Sequence, residues 1–250
     1  MDIRDSTLEV ITLRAKNYRE HDKLLTMVST FGPLTAIARG AGKSNGSLRS
    51  ISQPWTRSHV TLSPEKYGLR YLREGLLQES YLPPDGSLER FAYAAYVGEI
   101  LCAAWPQGKE EPELYYLLQA VLTMLKLDND PKRTTRFFEL QLLRILGLLP
   151  ELDCCALCGK KPPQPEFALF PAEGQLLCRS CADNLHLPRI SSGALLTMQR
   201  LLAVPLDRVR TIRLSPAIHQ EMERALRHYL SYHIDHVTRA AKILRSLTEE

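Results

Sequence analysis

The sequence predicts an α+β chain: a small all-β domain at the N-terminus, then a helical domain interrupted by a cysteine-rich insert. Three observations lead there. The first eighty residues hold five short runs rich in β-branched residues, separated by turn signals. After Pro83-Pro84-Asp85-Gly86 the apolar period lengthens from two residues to between three and four. Four of the six cysteines fall between positions 155 and 181, in two Cys-x-x-Cys pairs.

The β runs are TLEVITLRA, KLLTMVST, LTAIARG, SHVTLS and GLRYLREGLL. Phe31-Gly32-Pro33 divides the second from the third, and GAGKSNGSLRS, rich in Gly and Ser, forms a loop before the fourth. Five strands in so short a stretch fit a small barrel or a sandwich. The first helix is SLERFAYAAYVGEILCAAW. Leu88, Phe91, Ala95, Gly98 and Cys102 recur on one face, which is expected to be buried, with Cys102 as a small apolar side chain. Ser87 is placed to cap it, although Arg90 stands where a full capping box needs a carboxylate or amide. PELYYLLQAVLTMLKL is the second helix. Asp130-Pro131 opens the third, which ends near Gly147 and Pro150. SSGALLTMQRLLAV and SPAIHQEMERALRHYLSYHI follow the cysteines, the latter with the same cap-then-proline start at Ser215-Pro216. The expected boundaries are 1–80 for the β domain and 81–250 for the helical domain, with an insert at 151–187.

At 250 residues with 44% hydrophobic content, the chain has material for a core. The opening MDIRDSTLEV lacks the apolar run of a signal peptide, and no stretch of eighteen apolar residues predicts a membrane span. A cytoplasmic protein is therefore expected. The net charge of +4 is unevenly spread. Residues 1–80 carry 12 Lys/Arg against 8 Asp/Glu, and residues 191–250 carry 9 against 6, while the middle is slightly acidic. No acidic residue lies between Lys23 and Glu65, a stretch that holds Arg39, Lys43, Arg49 and Arg57. Such a run presents positive potential to a polyanion, or is simply a solvated loop.

Cys155, Cys158, Cys178 and Cys181 have the spacing of a zinc ribbon: two residues inside each pair and nineteen between pairs. Gly159 can supply the left-handed residue that such a knuckle uses, and Glu173-Gly174 can turn between two short strands. Lys160, Lys161 and Arg179 lie beside the ligands to offset the charge of four thiolates around Zn²⁺. A fully thiolate shell leaves no open position for water, so the zinc is read as structural. A redox dithiol, an iron–sulfur centre and disulfides are the alternatives. Cys154 could stand in for Cys155.

No catalytic constellation emerges, so no enzymatic activity and no small-molecule substrate are expected. GAGKSNG contains Gly-Lys-Ser, but position 37 is Ile where a phosphate loop needs glycine. His219, His228, His233 and His236 gather near the last helix; a solvated helix face accounts for them, with a second metal site as the alternative.

The order of these features resembles the RecO family of bacterial recombination mediators over nearly the whole chain. Val10-Ile11-Thr12-Leu13 followed by Tyr18-Arg19-Glu20-His21-Asp22-Lys23 is similar to that family's opening strand and turn. Thr30-Phe31-Gly32, Ala38-Arg39-Gly40-Ala41 and Gln53-Pro54 resemble its next segments, with Arg39 where Lys is common. Phe138-Glu139-Leu140 through Leu143, Gly147 and Pro150 resembles the segment leading into its cysteines. The resemblance implies an OB-fold N-terminal barrel and a helical C-terminal domain bearing a zinc ribbon. It implies binding of single- and double-stranded DNA, action with RecR, contact with the C-terminal tail of the single-strand-binding protein SSB, help in loading RecA, and strand annealing. It also implies a cytoplasmic, nucleoid-associated place in recombinational repair after DNA damage. Some similar proteins lack the cysteines, so the zinc is not the shared mechanism. A zinc-ribbon transcription or translation factor is the alternative.

On an OB barrel, Arg39, Lys43, Arg49 and Arg57 are the expected phosphate contacts, with Arg14 and Lys16 as secondary ones. Trp55 and Tyr67 are the aromatic side chains on which bases could stack. Arg200, Arg208, Arg210 and Arg213 could extend a DNA path or receive an acidic tail.

Overall fold

The computed structural model describes residues 6–106, 109–127, 130–163, 165–234 and 244. The chain divides into two compact units after Leu127.

The first unit is built on five strands: β1 Ser6–Tyr18, β2 Asp22–Ser29, β3 Gly32–Ala38, β4 Thr56–Leu62 and β5 Arg70–Ser80. They close into a barrel in the order β1-β2-β3-β5-β4. This is the OB arrangement, and closure removes the unpaired edges that an open five-stranded sheet would expose. β1 is long because it serves two neighbours. It pairs with β4 from Ser6↔Leu62 to Thr12↔Thr56 and with β2 from Ile11↔Val28 to Tyr18↔Asp22, so that Ile11 and Thr12 have a partner on each side. A register shift between Thr12 and Arg14 bends the strand. Val10, Leu25, Met27, Ala36, Val60 and Leu62 fill the interior.

Helices α1 Leu88–Ala104 and α2 Pro112–Leu127 belong to the same unit. Ser87 caps α1 by accepting the Arg90 amide hydrogen. The face read from the sequence is only partly the one α1 buries. Gly98 is buried, but Leu88 is 75% exposed, and Ala92, Tyr93, Ala94, Tyr96, Val97, Ile100 and Leu101 are buried as well. The helix is packed around most of its circumference, so a single apolar stripe does not describe it. Gly98 lets α1 approach the barrel closely: a Cβ there would lie 3.2 Å from the Trp55 ring. Cys102 is a packed thiol, pushed up to about 12 by burial and then by the Glu99 charge.

In the second unit, helix α3 Pro131–Ile145 is capped by Asp130, whose carboxylate accepts the Arg133 amide hydrogen. It is buried over most of its length, including the Arg136–Glu139 ion pair at 2.8 Å. Strands β6 Glu166–Phe170, β7 Gln175–Cys178 and β8 Arg189–Ser191 form a sheet in the order β7-β6-β8. Helix α4 Ser192–Ala203 follows, then a 3₁₀ turn at Leu206–Thr211 and helix α5 Pro216–His233. Glu221 of α5 accepts both the amide and hydroxyl hydrogens of Ser191, at 2.7 Å each, tying the sheet to the helices. No helix among the described residues is long and apolar enough to cross a membrane.

Trp55 locks α1 to the barrel, so Trp55→Ala should cost about 3–5 kcal/mol, the range for emptying a buried aromatic site. Urea unfolding read by amide exchange should show the loss in the strands and α1, with α3–α5 unaffected.

Candidate metal centre and nucleic-acid interface

The two Cys-x-x-Cys pairs converge. Cys155, Cys158, Cys178 and Cys181 place their sulfurs within 4.8 Å of one another, and Cys158 and Cys178 lie 3.6 Å apart. A tetrahedral ion with ~2.3 Å bonds to thiolate needs sulfurs about 3.8 Å apart, so the cluster fits such an ion. No disulfide joins any of the six cysteines in the structure. The first knuckle is formed by Cys155 N–H donating to Lys160 O at 2.9 Å and Gly159 N–H donating to Cys155 O at 2.8 Å, with Gly159 at φ 70°. Ala156 N–H donates to Leu176 O at 2.9 Å and hangs this knuckle on β7, which carries Cys178. Gly174 makes the β6–β7 turn at φ 62°. Cys154 and His186 stand outside the cluster.

The thiols are prepared unequally. Burial raises Cys155, but amide hydrogens of Cys178, Cys158 and Leu157 outweigh it and bring the thiol down to about 6. Cys181 is pushed up to about 12, first by its hydrogen bonds with Cys158 and Cys178. Four sulfurs this close cannot all ionise without a cation among them. The only group of three or more metal-ligating side chains among the described residues is this one. His233 instead packs against the Tyr229 and Tyr232 rings, and His236 lies outside the described residues.

On the barrel, directly opposed residues share a face. Arg14↔Thr26 and Thr26↔Thr35 make one row; Lys16↔Leu24, Leu24↔Ile37 and Ile37↔Tyr71 make the next. Leu25, Met27, Ala36 and Ala38 point inward, so these rows lie on the outer surface of β1, β2 and β3. A groove of about 260 Å³ runs there, lined by Thr26, Pro33, Leu34, Thr35, Glu65, Gly68 and Arg70. It is smaller than the ~300–1,000 Å³ of an enclosed small-molecule site.

Arg39 follows β3 and holds its guanidinium 4.5 Å over the Tyr71 ring. Gly42 N–H donates to His21 O at 2.8 Å, setting the loop that carries Lys43 against the β1–β2 turn. Arg49 donates back to Ser44 O at 3.2 Å, which brings it beside Lys43. Arg14, Lys16, Arg39, Lys43 and Arg49 are all exposed, and none of them pairs with a carboxylate among the described residues.

Two expected contacts are corrected. Arg57 is bound within the protein: its guanidinium meets Glu9 at 3.1 Å and Glu79 at 3.5 Å. Glu9 also accepts from His59 at 3.1 Å and from Tyr115 of α2 at 2.8 Å, so Arg57 belongs to a network that fastens α2 to β1, β4 and β5. Trp55 is 3% exposed, at φ 63°, with its ring edge-on to Phe91. Its backbone N–H donates to Thr12 O and its carbonyl accepts from Tyr81 N–H, so it cannot present a ring to a base. Tyr67, by contrast, is 92% exposed. Sequence reasoning missed Tyr71 and the Arg19–Tyr18 pair, whose guanidinium lies 5.3 Å from the ring centroid. The Arg19–Tyr18 pair is adjacent in sequence; the partner of Arg39 is thirty-two residues away and carries no local signal.

Family models of Recombination protein O match the chain at both ends: the N-terminal model over residues 1–81 and the C-terminal model over 86–242. Proteins named DNA repair protein RecO are similar over nearly the whole length. The one from Moorella thermoacetica is 32% identical, covering 96% of this chain and 90% of its own. The one from Desulforudis audaxviator is 32% identical and covers 96% of each. That of Listeria monocytogenes serotype 4b is 28% identical over 96% of this chain and 93% of its own.

The Glu9 network has a pH signature. Burial pushes the Glu9 carboxyl up, but the Tyr115 hydrogen bond, the Arg57 charge and His59 together hold it below its ordinary 4.5. A depressed carboxyl contributes stability above its unfolded value and loses it as pH falls through the folded one. Glu9→Gln should therefore lower stability at neutral pH and flatten its decline below about 4.5, in thermal unfolding followed across pH.

Proposed function

We propose that this chain, which belongs to the RecO family of DNA repair proteins, acts as a non-catalytic mediator that grips DNA on the outer face of its barrel. The observation that carries the reading is the set of five exposed cations, Arg14, Lys16, Arg39, Lys43 and Arg49, with no carboxylate partner among the described residues, on and beside the β1–β2–β3 surface. Cations without carboxylate partners release counterions when phosphates replace them, and that release drives sequence-tolerant binding. Residues 1–80 would be the nucleic-acid module. In this role the protein holds complementary strands for annealing and, with RecR, helps RecA load on single strands coated by SSB, whose C-terminal tail it contacts. Residues 81–250 would carry partner surfaces, Arg200, Arg208, Arg210 and Arg213 among them. No bond is made or broken.

Arg14→Ala/Lys16→Ala/Arg39→Ala should weaken binding to a single-stranded oligonucleotide. It should also reduce the slope of log K against log salt by about 2, at ~0.7 for each phosphate no longer neutralised. Arg57→Ala should lower stability and leave that slope unchanged. An unaltered slope in the triple variant would move the DNA site elsewhere, and a preference for one duplex sequence would favour a transcription factor.

The cysteine cluster would hold a structural Zn²⁺ on Cys155, Cys158, Cys178 and Cys181, in the second unit and with no open position. The purified chain should contain about one zinc, and chelation or Cys155→Ser should unfold the 151–187 segment, seen by amide exchange, while the barrel stays folded. Retained protection in metal-free protein would refute this.

A further inference from the structure

The chain holds four asparagines, and only Asn45 is followed by glycine. Asn17, Asn129 and Asn184 precede Tyr18, Asp130 and Leu185. Asparagine is thermolabile because the amide nitrogen of the next residue can attack its side-chain carbonyl. A following glycine puts no Cβ in the way of that attack. The dipeptide that reacts most readily therefore lies in the loop between β3 and β4, beside the cations of the barrel face.

Folding requires the glycine. A Cβ at position 46 would lie 2.4 Å from the Gly40 carbonyl oxygen, a backbone atom with no freedom to swing aside. Nothing shields its neighbour. Ser44, Asn45 and Ser47 are exposed to water, and no hydrogen bond holds the Asn45 side-chain amide among the described residues.

The same peptide ties the loop together. Gly46 N–H donates to Lys43 O at 3.2 Å, and Arg49 N–H donates to Gly46 O at 3.0 Å. The Arg49 guanidinium returns to Ser44 O at 3.2 Å. Lys43 and Arg49 thus stand on either side of Asn45-Gly46. A single long bond on an exposed loop opens at little cost, which frees the Gly46 nitrogen. The positive potential of the two cations favours loss of its proton and steadies the oxyanion that forms as it attacks. The charges that suit this loop to phosphate also speed its own chemistry.

We infer that Asn45 is a self-modification site and an irreversible off-switch for the cation face. The Gly46 nitrogen bonds to the Asn45 side-chain carbonyl carbon as hydroxide takes its proton. The bond from that carbon to the side-chain nitrogen breaks, and the nitrogen leaves as ammonia, protonated by water. Water then opens the resulting succinimide at either carbonyl, giving aspartate or isoaspartate; overall, water is consumed and ammonia released. Either product sets a carboxylate between Lys43 and Arg49. Isoaspartate also adds a methylene to the backbone of the turn that aligns them. The inference rests on the cation-face reading for its consequence, but not for its chemistry.

The full chain, aged in mildly alkaline buffer, would be digested with trypsin, which cuts after Lys43 and Arg49 and frees the peptide Ser44–Arg49. That peptide should turn from amide to acid by mass, and accept label from an isoaspartyl methyltransferase. Its conversion should run about 10-fold faster than at Asn17, Asn129 or Asn184, a barrier lower by roughly 1.4 kcal/mol. The aged chain and Asn45→Asp should bind fluorescein-labelled oligothymidylate more weakly, with the slope of log K against log salt reduced by about 0.7 to 1.4, one or two phosphate contacts. Asn45→Ser should keep its affinity on ageing. Conversion no faster than at the other three asparagines overturns the site. Equal loss of binding by aged Asn45→Ser places the ageing elsewhere and overturns it too. Undiminished binding by the converted chain and by Asn45→Asp, with the Arg14/Lys16/Arg39 variant still impaired, overturns the switch and leaves the cation face standing. Undiminished binding by all three overturns the face as well.

Discussion

Strand β1 must pair with β4 through its first half and with β2 through its second, and the barrel closes only because it does both. Ile11 and Thr12 pair with both neighbours, and a bulge follows between Thr12 and Arg14. Because side chains alternate along a strand, the bulge also decides which residues of the second half look outward. Val10 stays in the core, whereas Arg14 and Lys16 emerge on the surface shared with Thr26 and Leu24. Without the extra residue the second half would turn its cations into an apolar interior, where an unpaired charge is very costly. Closure and the basic face are thus one geometrical fact.

The cysteine cluster obeys a similar constraint in charge. Its knuckle amides favour a thiolate at Cys155 while neighbouring sulfurs oppose one at Cys181, so all four can ionise together only around a cation. The sheet that carries it is not a free-standing ribbon. β8 adds a third strand, and Ser191 at its end both caps α4 and donates to Glu221 of α5. The cysteine cluster therefore sits on a sheet tied to helices α4 and α5.

Much of this was legible in the sequence, for identifiable reasons. The five strands announce themselves by β-branched runs and turns, and the caps at Ser87, Asp130 and Ser215 are local chemistry that any helix start expresses. The cysteine spacing is local as well. What escaped was long-range. Arg57 looks like a free cation until Glu9, forty-eight residues earlier, is folded against it. Trp55 sits in a polar stretch, and only the approach of α1 at Gly98 makes it core. β8 is three residues long and is defined by its partner rather than by its own pattern. In α1, small and aromatic residues all round blur any periodic face.

Trp55 and Tyr67 make the sharpest comparison in the molecule. Both are large aromatic residues forced into the left-handed backbone region, at φ 63° and 54°. Such conformations cost of order 1–3 kcal/mol and persist only where something compensates. For Trp55 the compensation is internal: ring burial against α1 and two backbone hydrogen bonds well exceed the strain. At Tyr67 the folded chain offers no return, because the ring touches solvent on nearly every side.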